Sequence, residues 1–151
     1  MRVFVDNSIS ASLAEVMRVH TQGFHTVCHL KDVLDQSTDD VAWIEYIRWR
    51  SNEEGEPWYI LTADLRIRRN RKERQALVES GLTAFFTFAR FSELTGPQQI
   101  SLMQKWWPKM SIEAARYPIG TIFDLHERAA KPSIWRFPPE QAGASCASTR
   151  S

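Results

Sequence analysis

The chain has 151 residues, of which 43% are apolar and 25% charged. That is enough for one domain with a real core, too few for two ordinary domains, and unlike a collagen-like or wholly disordered chain. The net charge of +1 excludes a uniformly basic or acidic protein, and no apolar run approaches the ~18 residues of a membrane helix. Met1-Arg2 leads directly into a short apolar run without a signal-peptide core, so the expected location is the cytoplasm. Cys28 and Cys146 are too few for a disulfide framework or a zinc cage, and Cys28 is expected as a small core residue.

Charge is unevenly spread. Residues 1–60 hold ten acidic and five basic side chains, whereas residues 61–151 hold eight and fourteen. A polyanion partner is open to the second part, because fields act locally.

In chain order, Arg2 to Val5 is rich in β-favouring residues and predicts a buried strand ending at Asp6. Ser8 to Gln22 predicts a helix, with Ser12 and Glu15 as a capping box and Ile9, Leu13, Val16, Met17 and His20 at helical spacing. Gly23 stands where that helix would end. His25 to Leu30 predicts a second strand, and residues 31–37 a polar loop. Ser37 with Asp40 offers another capping box before a helix over Asp39 to Arg50, and Asn52 to Pro57 reads as a turn. Trp58 to Thr62 predicts a third strand leading to Asp64. Arg68 to Ser80 predicts a helix stopped by Gly81, and Leu82 to Phe88 a strand buried on both faces.

This βαβαβαβ alternation predicts a three-layer α-β-α sandwich with a mostly parallel sheet of four to five strands. Residues 1–94 form its core. Residues 95–137 are expected as a C-terminal helical extension packed on it, and residues 138–151 as a disordered tail. Within the extension, Gln98 to Arg116 is helical with Pro108 expected to kink or split it, and Trp135 and Phe137 are possible anchors. Trp106, Trp107 and Met110 are read as core in preference to a partner patch, and Trp43 and Trp58 as core.

Ligands of open parallel sheets bind at the carboxyl ends of the strands, where strand order reverses. Asp6 ends the first predicted strand and Asp64 follows the third. Asp40 starts the helix leading into that third strand. Three converging carboxylates repel one another unless a cation neutralises them, and hard oxygen donors suit Mg²⁺ or Mn²⁺. Arg66, Arg68, Arg69, Arg71, Lys72 and Arg74 place six positive charges within nine residues just after Asp64. Carboxylates for a metal beside arginines for a phosphate backbone describe a nuclease edge.

Each feature has a purely structural alternative. Asp6 could cap a helix, and Asp39 and Asp40 could be helix-start residues favoured by the helix dipole. The basic run could be a solvated helix face. The four histidines show no paired ligand spacing, serine and cysteine lack an identifiable base, and there is no glycine-rich phosphate loop.

The stretches Val3-Phe-Val-Asp6-Asn7, Asp40-Val-Ala-Trp43-Ile44, Ile60-Leu-Thr-Ala-Asp64, Arg69 to Leu77 and Ser80-Gly-Leu82, in that order, carry a resemblance to the PIN domain family of metal-dependent ribonucleases. The closer likeness is to the compact VapC-type toxins of toxin–antitoxin operons, over residues 1–94. The resemblance implies that Asp6, Asp40 and Asp64 are catalytic and hold Mg²⁺ or Mn²⁺, that Thr62 supplies a supporting hydroxyl, and that Arg66, Arg68, Arg69 and Arg71 bind an RNA substrate; Asp39 is expected as a second supporting residue. It further implies a cognate antitoxin, and a homodimer as the expected assembly. The family often has a further acid shortly after the Thr-x-Asp motif; here Leu65 and Arg66 stand there. Glu73 follows on the next helix, with nothing in the sequence to set its direction. A catalytically degenerate module of the same fold, binding RNA or a protein without cleavage, is the alternative. A receiver domain resembles the chain less, because it expects an acidic pair where Asp6-Asn7 supplies one acid.

Overall fold

The computed structural model describes residues 1–136, so the expectations for Phe137, Cys146 and the tail lie outside the described residues. Six strands, β1 (Arg2–Val5), β2 (Thr26–His29), β3 (Tyr59–Thr62), β4 (Ala84–Phe86), β5 (Ile122–Asp124) and β6 (Ser133–Ile134), form one sheet in the order β2-β1-β3-β4-β5-β6. The first five run parallel and β6 is antiparallel to β5. The helices are α1 (Ala11–His20), α2 (Leu30–Val33), α3 (Asp40–Glu54), α4 (Arg66–Arg69), α5 (Arg71–Ser80) and α6 (Gly96–Arg116), with a 3-10 turn over Ala89–Glu93.

Strand side chains alternate between two cores, as the period of two requires. Val3, Val5, Leu61, Phe85 and Phe123 meet Leu13 and Met17 of α1 and Met103, Trp106 and Met110 of α6. Phe4, Ile60, Ala84, Phe86 and Ile122 meet Trp43, Ile44 and Ile47 of α3, Ile67 of α4 and Leu77 of α5. Helices on both faces make the three-layer α-β-α sandwich. Trp43, Trp58, Trp106 and Trp107 are all core, as is Cys28. No described helix is long and apolar enough to cross a membrane.

The segment after Leu94 is not solely helical. It contributes β5 and β6, so the sheet has six strands instead of four or five. Helix α6 runs unbroken through Pro108. Proline removes the donor for the Gln104 carbonyl, but both residues are exposed and water can solvate that oxygen.

Local hydrogen bonding moves several boundaries. Ser10, not Ser12, caps α1 by accepting from Leu13 N, and Glu15 pairs with Arg18. The stretch expected as loop after residue 30 opens with α2, because His29 and Asp32 form a reciprocal capping box. Asp39 caps α3, while Ser37 bonds Asp35 instead. Helix α3 continues to Glu54, which Arg50 (2.6 Å) and the Trp58 indole (2.9 Å) hold in place, and ends at Gly55 with φ 69°. The helix expected over Arg68 to Ser80 is two helices broken at Asn70, whose side chain accepts from Glu73 N (3.1 Å). An asparagine carboxamide competing for backbone N–H groups explains the break.

Candidate active site

From β1 the chain moves outward to β2, then crosses back to place β3 on the other side of β1. Strand order therefore reverses between β1 and β3, and their carboxyl ends form the crevice where such sheets bind ligands. Pairing of Val5 with Leu61 brings Asp6 and Asp64 to that crevice.

Asp6 is only 3% exposed. Its Oδ1 accepts from the Ser8 backbone N (3.2 Å) and from the Ser8 hydroxyl, and its Oδ2 accepts from the Thr62 hydroxyl (2.8 Å). The same two hydroxyl oxygens accept from backbone groups, Ser8 Oγ from Ala63 N (2.8 Å) and Thr62 Oγ1 from Asp64 N (3.0 Å). Each hydroxyl has one proton, and both are directed at Asp6. The network thus welds the loops after β1 and β3. Burial pushes the Asp6 carboxyl up to about 6; the Ser8 and Thr62 bonds oppose this, and the nearby Asp40 charge adds to it. Asp6 does not cap α1, so its helix-cap alternative does not hold.

Asp40, at the start of α3, accepts from the Trp43 indole through Oδ1 (2.8 Å). Asp39 performs the helix-cap role, accepting from Ala42 N (2.8 Å). Asp64 is bound by Arg66 at three points: backbone N to Oδ1 (3.0 Å), Nε to Oδ1 (2.9 Å) and Nη2 to Oδ2 (2.9 Å). Burial would raise the Asp64 carboxyl, but the Arg66 bonds outweigh it and hold Asp64 below the ordinary carboxylate range.

These groups line one cleft of about 330 Å³ with Asn7, Ser8, Thr38 and Trp43. Glu73 joins them. The break at Asn70 puts it in the first turn of α5, facing α3. Burial, then the charges of Asp40 and Asp64 and a close carboxyl–carboxyl contact with Asp40, push its carboxyl up, while its Oε2 is buried without a hydrogen-bond partner. Sequence reasoning left its direction open; the signal was the Asn70-x-x-Glu73 spacing of a helix start. A second hollow of about 530 Å³ shares Asp39, Asp40 and Glu73 with the cleft and continues past Asn70 and Lys72.

A profile of the PIN like domain family matches residues 1–89. The chain belongs to that family. No curated protein and no solved structure matched the chain. In this PIN-like protein the family span holds all five acids that line the cleft, Asp6, Asp39, Asp40, Asp64 and Glu73, while α6, β5 and β6 lie beyond it and complete one core and the sheet edge.

The basic residues of the PIN-like domain do not act as one patch. Arg68 turns inward and is 13% exposed in its side chain; it bonds Asp124 (2.6 Å) and lies over the rings of Phe86 (4.5 Å) and Trp135 (4.8 Å). Arg74 donates to the Arg68 carbonyl (3.1 Å). Arg69, Arg71 and Lys72 are exposed. His29 serves structure: its Nδ1 accepts from Lys31 N (3.1 Å), which makes its Nε2 the donor to the Ile9 carbonyl (2.8 Å).

Family membership implies a divalent cation. The donors fit a hard cation: carboxylates from four elements line one cleft, and one of their oxygens, Glu73 Oε2, lacks any partner. Among the described residues, however, no three potential ligands are gathered tightly enough to chelate, so direct ligation by three of these acids needs side chains to turn.

Proposed function

We propose that this PIN-like protein is a metal-dependent endoribonuclease, the toxin member of a toxin–antitoxin pair. The observation that carries the nuclease reading is the convergence of Asp6, Asp40, Asp64 and Glu73 on one cleft at the β1/β3 switch point. Asp6, Asp40 and Asp64 would hold Mg²⁺ or Mn²⁺, with Glu73 as the fourth acid. The bound cation supplies an activated water and stabilises charge on the phosphate. Ser8 and Thr62 orient Asp6, and the Trp43 indole orients Asp40. Arg69 and Arg71, exposed where α4 passes into α5, would hold the RNA backbone, and Lys72 would extend that contact along the adjoining hollow.

The toxin assignment rests on the likeness of residues 1–94 to the compact VapC-type proteins. It implies an antitoxin that covers the cleft. Expression that arrests growth, relieved by the product of a neighbouring reading frame, supports it; growth unaffected by the active wild type removes it.

The nuclease test is cleavage of single-stranded RNA by purified protein with Mn²⁺, beside Asp6→Ala and Asp64→Ala. Loss of cleavage in both variants, with unchanged circular dichroism, is expected; full activity in either overturns the assignment. A second reading, an RNA-binding module that does not cut, is favoured by the closure of Asp64 by Arg66. RNA binding without cleavage by Mn²⁺-loaded wild type would establish it.

A further inference from the structure

We propose that Arg66 is an internal latch on the acidic cleft: its guanidinium holds Asp64 as a resident counter-charge, and a divalent cation gains Asp64 only when that side chain swings out. This regulates the site of the preceding reading and rests on its metal requirement.

Both Asp64 oxygens are taken by the Arg66 fork at 2.9 Å, and Oδ1 also by the Arg66 backbone N. The Asp64 side chain is 11% exposed and that of Arg66 82%, so the guanidinium lies outside and covers the carboxylate. The described lining of the cleft has five acids, Asp6, Asp39, Asp40, Asp64 and Glu73, and one base, Arg66. The one basic side chain of the described cleft lining is therefore also the more exposed member of its pair.

Among the described residues the side-chain hydrogen bonds of Arg66 all go to Asp64, with the charges of Asp40 and Glu73 adding only longer-range attraction, in contrast to Arg68 two residues on, which Asp124, Phe86 and Trp135 hold from three directions. Release needs only side-chain rotation at the first residue of α4, and water resolvates an exposed guanidinium readily. Once released, Arg66 stands beside exposed Arg69, with its planar fork free for a phosphate.

The test is Mn²⁺ binding, measured by calorimetry and by electron paramagnetic resonance of the free ion, on the full chain and without RNA. Arg66→Ala should bind Mn²⁺ roughly two- to fivefold more tightly than wild type, the scale of an exposed ion pair. Arg66→Lys keeps the charge but loses the fork, so it should gain part of that affinity. In an Asp64→Asn background the gain from Arg66→Ala should vanish. Equal affinity of wild type and Arg66→Ala overturns the latch while leaving the metal site standing, and so does weaker binding by Arg66→Ala. Arg66→Lys indistinguishable from wild type reduces the effect to net charge and overturns the latch. A gain that persists without the Asp64 carboxylate does the same. No binding by either folded protein removes both the latch and the metal reading.

Discussion

The Thr62 hydroxyl donates to the Asp6 carboxylate across 2.8 Å, joining strand ends that lie 56 residues apart in the chain. The bond exists because β1 and β3 are parallel neighbours in register, and because the chain leaves β1 on one side and returns on the other. Buried Thr62 serves Asp6 through its proton and Asp64 through its oxygen, so one hydroxyl holds two cleft acids in fixed relation.

Thr62→Val removes that hydroxyl at nearly constant volume. Asp6 then loses one of the bonds that favour its ionised form, and Asp64 N loses its acceptor. We expect cleavage to fall at least about tenfold and stability by about 1–2 kcal/mol, read from single-turnover RNA cleavage and urea unfolding. Unchanged cleavage would show that the Ser8 bonds suffice to orient Asp6.

Asp6 determines a pH dependence. Its carboxyl rises in the folded protein from 3.8 to about 6. The folded state therefore binds the proton more tightly than the unfolded state, and ionisation opposes folding. This opposition is absent below about pH 3.8, grows as pH rises towards 6, and is complete above it. At ~1.4 kcal/mol per unit it reaches about 3 kcal/mol at neutral pH. Asp6→Asn keeps the shape and removes the charge. Its stability advantage over wild type should be near zero at pH 4 and greatest above pH 6.5, as measured by urea unfolding. An advantage independent of pH would place the cause outside ionisation.

Arg68 and its neighbours should separate cleanly. Arg68→Ala strands Asp124, whose side chain is 21% exposed, and uncovers Phe86 and Trp135, so it should lower stability by about 2 kcal/mol. Arg69→Ala with Arg71→Ala touches neither core. It should leave stability within about 0.5 kcal/mol, weaken RNA binding and flatten its salt dependence. The opposite pattern would return Arg68 to the RNA-facing surface.

A fragment ending at residue 94 should lack a cooperative unfolding transition. Without α6, the face of the sheet formed by Val3, Val5, Leu61 and Phe85 loses Met103, Trp106 and Met110, and β4 loses its β5 neighbour. A fragment with native-like near-ultraviolet dichroism would show that the family span folds alone.

Glu73→Gln tests the fourth acid. Removing a charge that faces Asp40 and Asp64 relieves repulsion, so the protein should gain up to about 1 kcal/mol in stability while cleavage declines. A rise in both would make Glu73 a bystander.

The chain's own alternation of apolar strands and amphipathic helices determined the sandwich, because periods of two and 3.6 residues are local properties of the backbone. It also placed Asp6 and Asp64 at strand ends, since each terminates an apolar run. Arg66 and Arg68 look alike in the sequence, yet one covers Asp64 and the other is enclosed by Asp124, Phe86 and Trp135. Their fates depend on side-chain direction around a four-residue helix and on partners up to 67 residues away, which no local pattern encodes. Glu73 is the same case: a single Asn70 side chain breaks the helix and restarts it facing α3. Strand ends are set by the nearest few residues, whereas the charge balance of the cleft is set by which helices pack around it, and only the folded chain decides that.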